Sequence, residues 1–181
     1  MTFKEQLIKI EACPDAIEWV GDRTLEQAWN ECKRGDWMLW FAWHKVSKRK
    51  IVLAASLCTN EVRHLMKDER STNAIAVGIR YGNGKATDEE LKAAADDAYD
   101  AYAYADARAA TAARAAACAD AYAAARAAAA AARAAADDYP AGACAALTAA
   151  GAANARKETL AKCADICRQV LTDKVLKTEV S

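Results

Sequence analysis

Apolar positions along this chain recur at intervals of three and four, the spacing that gathers side chains on one face of an α-helix. Phe3, Leu7, Ile8 and Ile10 follow it and predict a first helix over 3–12. Pro14 opens a second short helix through Trp19, because proline suits a first helical turn, and Gly21-Asp22 ends it. Thr24 fits the N-cap of a helix over 25–33, with Gly35 as its stop. Asp36 is expected to cap the next helix, which gathers Trp37, Trp40, Phe41 and His44 on one face with Trp43 near its edge. Lys48 to Leu65 follow, with Ile51, Ala55, Cys58, Val62 and Leu65 in register. Ile75 to Ile79 is the one stretch with strand-like alternation, and it reads equally well as a short buried helix. Tyr81-Gly82-Asn83-Gly84 is a turn.

At Thr87-Asp88-Glu89-Glu90 the chain carries a capping box, and its acidic residues suit the positive end of a helix dipole. From Ala93 to Ala136 there are 29 alanines in 44 positions, with no Leu, Ile, Val, Met or Phe between Lys92 and Ala146. Alanine is the strongest helix former, so this segment is expected to be helical until Asp137-Asp138-Tyr139-Pro140. A straight helix of about 50 residues would run roughly 75 Å, against a radius of gyration of about 16 Å for a compact domain of this size. The segment is therefore expected to fold back, protrude or lie against another chain, with Asp120 as a cap if it breaks near Cys118. A last helix over 155–171 places Leu160, Cys163, Ala164, Cys167, Val170 and Leu171 on one side. The expected fold class is all-α. It is a multi-helix bundle forming a single domain over 1–181, with an aromatic-rich part (1–86), an alanine-rich helix or hairpin (87–139) and C-terminal helices (140–181).

Within the alanine-rich segment a sparse stripe stands out. Tyr104 and Arg108 are one turn apart, and Tyr122 and Arg126 repeat the pair 18 residues later, five helical turns along the same line. Arg133 and Asp137 continue it, and Asp97 precedes it. Such pairs keep an alanine helix soluble. They also make a candidate ligand surface, since guanidinium forks suit phosphate or carboxylate and phenol rings suit a nucleobase. An alanine helix gains little from an ordinary core, so a homo-oligomer is expected.

Charge narrows the classes. Lys plus Arg number 25 and Asp plus Glu number 25, which gives no global case for long nucleic acid. No apolar run is long enough to span a membrane, and the N-terminal residues lack the apolar stretch of a secretion signal, so a cytosolic protein with no membrane partner is expected. Seven cysteines, an odd number, fit reduced thiols, mostly as core filler. Cys163 and Cys167 with His44 and His64 lack zinc-site spacing, and no cofactor is expected. Gly82-Asn83-Gly84-Lys85 lacks the context of a phosphate loop, and the adjacent pairs Asp96-Asp97 and Asp137-Asp138 point apart on a helix. No nucleophile–base pair is evident, so the protein is not expected to be an enzyme. Trp37 and Trp40 read first as core, with an exposed partner-binding anchor as the alternative.

The block from Arg23 to Trp40, ending Gly-Asp-Trp-Met-Leu-Trp, is followed by the alanine-rich stretch and then by Lys-Cys-Ala-Asp-Ile-Cys-Arg at 162–168. Together they resemble the alanine-rich proteins assigned as immunity proteins in bacterial genomes and phages, over nearly the whole chain. The resemblance implies a non-enzymatic protein that neutralises a toxin or defence protein by binding it, and it carries over no catalytic residue. A phage origin would also suit a second role, a sponge that sequesters a small cyclic nucleotide signal between the Tyr104–Arg108 and Tyr122–Arg126 pairs and Arg133.

Overall fold

The computed structural model describes residues 1–65, 68–111 and 153–177, with side chains described for 1–64, 68–100 and 157–177. Eight α-helices appear among them: α1 (Phe3–Lys9), α2 (Pro14–Val20), α3 (Leu25–Glu31), α4 (Gly35–Trp43), α5 (Lys48–Asn60), α6 (Glu69–Gly82), α7 (Asp88–Thr111) and α8 (Ala153–Val175). A short 3-10 turn, Arg63–Leu65, follows α5, and no strand occurs among the described residues. Ile75 to Ile79 lies inside α6, so its alternation belongs to a helix. Among the described residues no helix is long and apolar enough to cross a membrane.

Local chemistry sets the helix starts. Thr2, Thr24 and Thr87 each accept from the backbone three residues on, while Glu5, Gln27 and Glu90 reach back to the cap amides. These reciprocal bonds satisfy donors that a helix start leaves unpaired. Pro14 opens α2 without a side-chain cap. Two expectations fail in the next stretch. Gly35 does not stop α3, which ends at Glu31 with Cys32 extended; it is instead the first residue of α4. Asp36 does not cap α4 but sits inside its first turn, buried and bonded to Arg34.

Two helices end in the same hydrogen-bond pattern. After α6, Gly84 at φ 74° lets its own amide bond Tyr81 and the Lys85 amide bond the Arg80 carbonyl. After α1, Glu11 does the same at φ 58°, with its amide on Ile8 and the Ala12 amide on Leu7. This left-handed position usually belongs to glycine, and a glutamate there is strained by about 1–3 kcal/mol.

Packing runs through α5 and α8. α6 lies between α5 and α7, while α8 packs on α4 and α5 and touches α3. Glycines make two of these contacts close. A β-carbon at Gly82 would fall 2.4 Å from Leu53 Cβ, and one at Gly35 would fall 2.4 Å from Cys163 Cβ. The core joins Leu39, Val52, Leu91, Leu171 and Val175, each almost fully buried, so chain ends meet one cluster. On α8, Leu160, Cys163, Ala164, Cys167 and Leu171 are buried as the spacing predicts, while Val170 is half-buried against the same core.

Cys32, Cys58, Cys163 and Cys167 are buried free thiols in this core, and Cys13 is exposed. Cys118 and Cys144 lie outside the described residues. Hydrogen bonding to Cys163 and Cys167, then burial, pushes the Cys58 thiol well above its ordinary range. Among the described residues no group of three or more His, Cys, Asp or Glu is placed to hold a metal ion. The expected break at Cys118 to Asp120, and the alanine-rich segment beyond Thr111, also lie outside the described residues.

Candidate functional site: an aromatic cleft

α1, α2, α3 and α4 enclose a cleft of about 390 Å³, within the usual range for ligand pockets. Each helix supplies an aromatic wall because each buries only one face. α1 contributes Phe3, which meets Phe41 of α4 edge-on at 5.1 Å. α2 contributes Trp19, and α4 contributes Trp37 and Trp40. These three indoles are half-buried, and the Trp19 and Trp37 rings lie 6.1 Å apart at 55°. Trp29 of α3, only 3% exposed, also lines the cleft; its indole N–H donates to Thr172 Oγ1 at 2.9 Å, which ties it to α8.

The charges around the cleft are mostly neutralised by internal pairs. Arg34 bonds both oxygens of Asp36, which holds its guanidinium above the ordinary arginine value, and it stacks 4.3 Å from the Trp37 ring centre. Arg23 stacks 4.9 Å from Trp19, donates to the Trp19 carbonyl at 2.6 Å and pairs with Glu31 at 2.9 Å. Glu11 and Asp36 are the acidic residues lining the cleft, and no Lys, Arg or His lines it. Among the described residues the Glu11 carboxylate, exposed, has no hydrogen bond or ion pair.

The 23–40 and 162–168 segments meet behind this cleft. Arg168 Nη1 donates to the carbonyls of Trp29 at 3.2 Å and Cys32 at 2.8 Å, and Nη2 donates to Asp165 at 2.7 Å. A guanidinium there satisfies carbonyls that the end of α3 leaves unpaired. The Cys167 thiol faces the Gly35 carbonyl at 3.9 Å, and Cys163 presses on Gly35 itself. Both blocks thus hold α3 and α4 in place.

A second, open depression of about 530 Å³ lies at the start of α7, lined by Arg49 and residues 84–90. Two of its helix-start amides, those of Thr87 and Glu90, are already engaged by the Glu90 and Thr87 side chains. Tyr81 donates to Asp88 at 2.8 Å and Arg49 stacks on Tyr81 at 4.4 Å, which pins the loop between α6 and α7.

No family model, no curated protein and no solved structure matches this chain.

Of the residues singled out from the sequence, Trp37 and Trp40 line the cleft. His44 is exposed, edge-on to Trp40 at 4.8 Å, and is not part of it. Tyr104 and Arg108 fall on α7 where only the backbone is described, and Tyr122, Arg126 and Arg133 lie outside the described residues. Trp19, Trp29 and Glu11 were not singled out. The two tryptophans sit on other short helices, and only the tertiary fold turns them toward α4. No local signal announces the backbone of Glu11.

Proposed function

We propose that this chain is a non-enzymatic binding protein that neutralises a partner in bacterial or phage conflict, and that the cleft of Trp19, Trp37 and Trp40 is its contact site. The observation that carries the proposal is the cleft itself: three half-buried indoles around a volume of about 390 Å³. Tryptophan is enriched where interfaces concentrate their energy, because a large rigid ring buries much area at little entropic cost. The resemblance to immunity-type proteins supports a toxin or defence protein as the partner, met in the bacterial cytosol. A homo-oligomer fits the same role.

The test is rescue. Co-expression with the toxin encoded beside the gene should restore growth, and Trp37→Ala with Trp40→Ala should abolish rescue while the circular dichroism spectrum is kept. Unchanged rescue by that double variant refutes the contact site. The alternative, a cyclic-nucleotide sponge using Tyr104, Arg108, Tyr122, Arg126 and Arg133, predicts intact nucleotide released on denaturation, insensitive to both tryptophan changes.

A further inference from the structure

Resting on the binding role proposed above, we infer that the cleft selects a cationic side chain, a lysine or arginine presented by the partner protein with its alkyl stem against the indoles. Three independent features of the cleft converge on that chemistry.

First, the lining is aromatic and acidic with no base in it. A cation over an indole face is attracted by the ring quadrupole. The chain already displays that preference, since its own Arg23 and Arg34 stack on Trp19 and Trp37. Both guanidiniums are neutralised by Glu31 and Asp36, so they do not repel an incoming cation as free charges would. An anion would instead meet the exposed Glu11 carboxylate and no basic side chain in the lining, since Asp36 is paired with Arg34.

Second, the segment that builds the cleft is acidic. Residues 3–43, which supply α1 to α4, hold eight carboxylates against five bases. That local charge of −3 stands in a chain whose formal charge is zero. It would steer a basic segment toward the cleft.

Third, Glu11 is strained. It takes φ 58° at a position where its counterpart after α6 is Gly84, and its carboxylate has no partner among the described residues. A glycine would relieve that conformation. Strain kept at the lip of a cleft, by a side chain that bonds nothing in its own protein, points to a bond made to something else.

The experiment uses the full chain labelled with 5-fluorotryptophan and a matched pair of blocked peptides, Leu-Arg-Leu and Leu-citrulline-Leu, which differ only in charge. The arginine peptide should move the fluorine resonances of Trp19, Trp37 and Trp40 saturably. Citrulline should bind about three- to fivefold more weakly, the joint effect of a partly exposed cation–π contact and an exposed ion pair with Glu11. Glu11→Gln should erase the ion-pair part of that difference, and added salt should shrink it. Glu11→Gly should weaken the arginine peptide while raising the unfolding midpoint, a split that a merely structural role would not give. Equal binding of the two peptides overturns the cationic inference and leaves the cleft as a binding site, and a charge preference untouched by Glu11→Gln overturns the part assigned to Glu11. Resonances moved by neither peptide nor by free indole overturn both.

Discussion

Replacing Gly35 by alanine should destabilise the fold even though alanine favours helices. Gly35 opens α4 where that helix meets α8. A β-carbon there would lie 2.4 Å from Cys163 Cβ and 2.8 Å from both the Cys163 carbonyl carbon and the Ala164 nitrogen. Carbon atoms pack best about 3.5–4.0 Å apart, so the helices must separate by roughly 1 Å. Two of the three obstacles are backbone, and no rotamer change relieves them. Overpacking of this kind costs about 3 kcal/mol at the upper end of its usual range. Alanine's helix propensity returns about 1 kcal/mol. The net loss is about 2 kcal/mol, which should lower the urea midpoint by about 1 M at unchanged slope. Gly84→Ala is the control. It has nothing within 4 Å and only its φ of 74° to oppose a side chain, so it should cost about 1 kcal/mol. A Gly35→Ala chain with the wild-type midpoint would refute the close contact between α4 and α8. Because α4 carries Trp37 and Trp40, the same substitution should also disturb their fluorescence before any unfolding.

Arg168→Lys should cost about 1–2 kcal/mol in chemical denaturation, because an ammonium cannot span Asp165 and the α3 carbonyls as the guanidinium fork does. Thr172→Val should leave the buried Trp29 N–H unpaired and lower stability by about 1–3 kcal/mol, read by the same assay. In a native thiol titration Cys13 should react fast, and Cys13→Ser should remove one equivalent of the fast phase, while Cys32, Cys58, Cys163 and Cys167 react only on unfolding. The thiols also set an alkaline limit. Cys58 ionises in the fold well above the ordinary thiol value of 9.0. Its contribution is therefore fully present below about pH 9 and is lost as pH rises through the folded value. Stability measured from pH 8 to 10.5 should fall, and Cys58→Ala should flatten that fall.

How much of this was legible in the sequence depended on whether the cause was local. Thr24 and the Thr87–Glu90 pair are local signals, and both helices start where those residues place them. The buried side of α8 follows from spacing alone. Gly35 misled because a glycine after a helix pattern usually ends it, whereas here the missing side chain serves a neighbour more than a hundred residues away. Asp36 misled for a related reason: its preferred partner is the Arg34 guanidinium rather than a helix-start amide. For the cleft, the spacing of Trp37 and Trp40 was readable, but their meeting with Trp19 depends on how α2 turns after Glu11. The Arg168 contact with α3 belongs to the same class, since nothing near residue 168 names the carbonyls it serves.

The bond from Trp29 to Thr172 spans 143 positions, and this has a consequence for how the protein is made. At roughly 5–20 residues per second, a ribosome needs about 7–30 s to travel that distance. Throughout that interval the nascent tryptophan-rich segment lacks the late helix that braces it. Completion of synthesis thereby becomes a checkpoint: a message cut short in the alanine codons would yield a product without its clamp, exposed to proteolysis rather than left half-active in the cell.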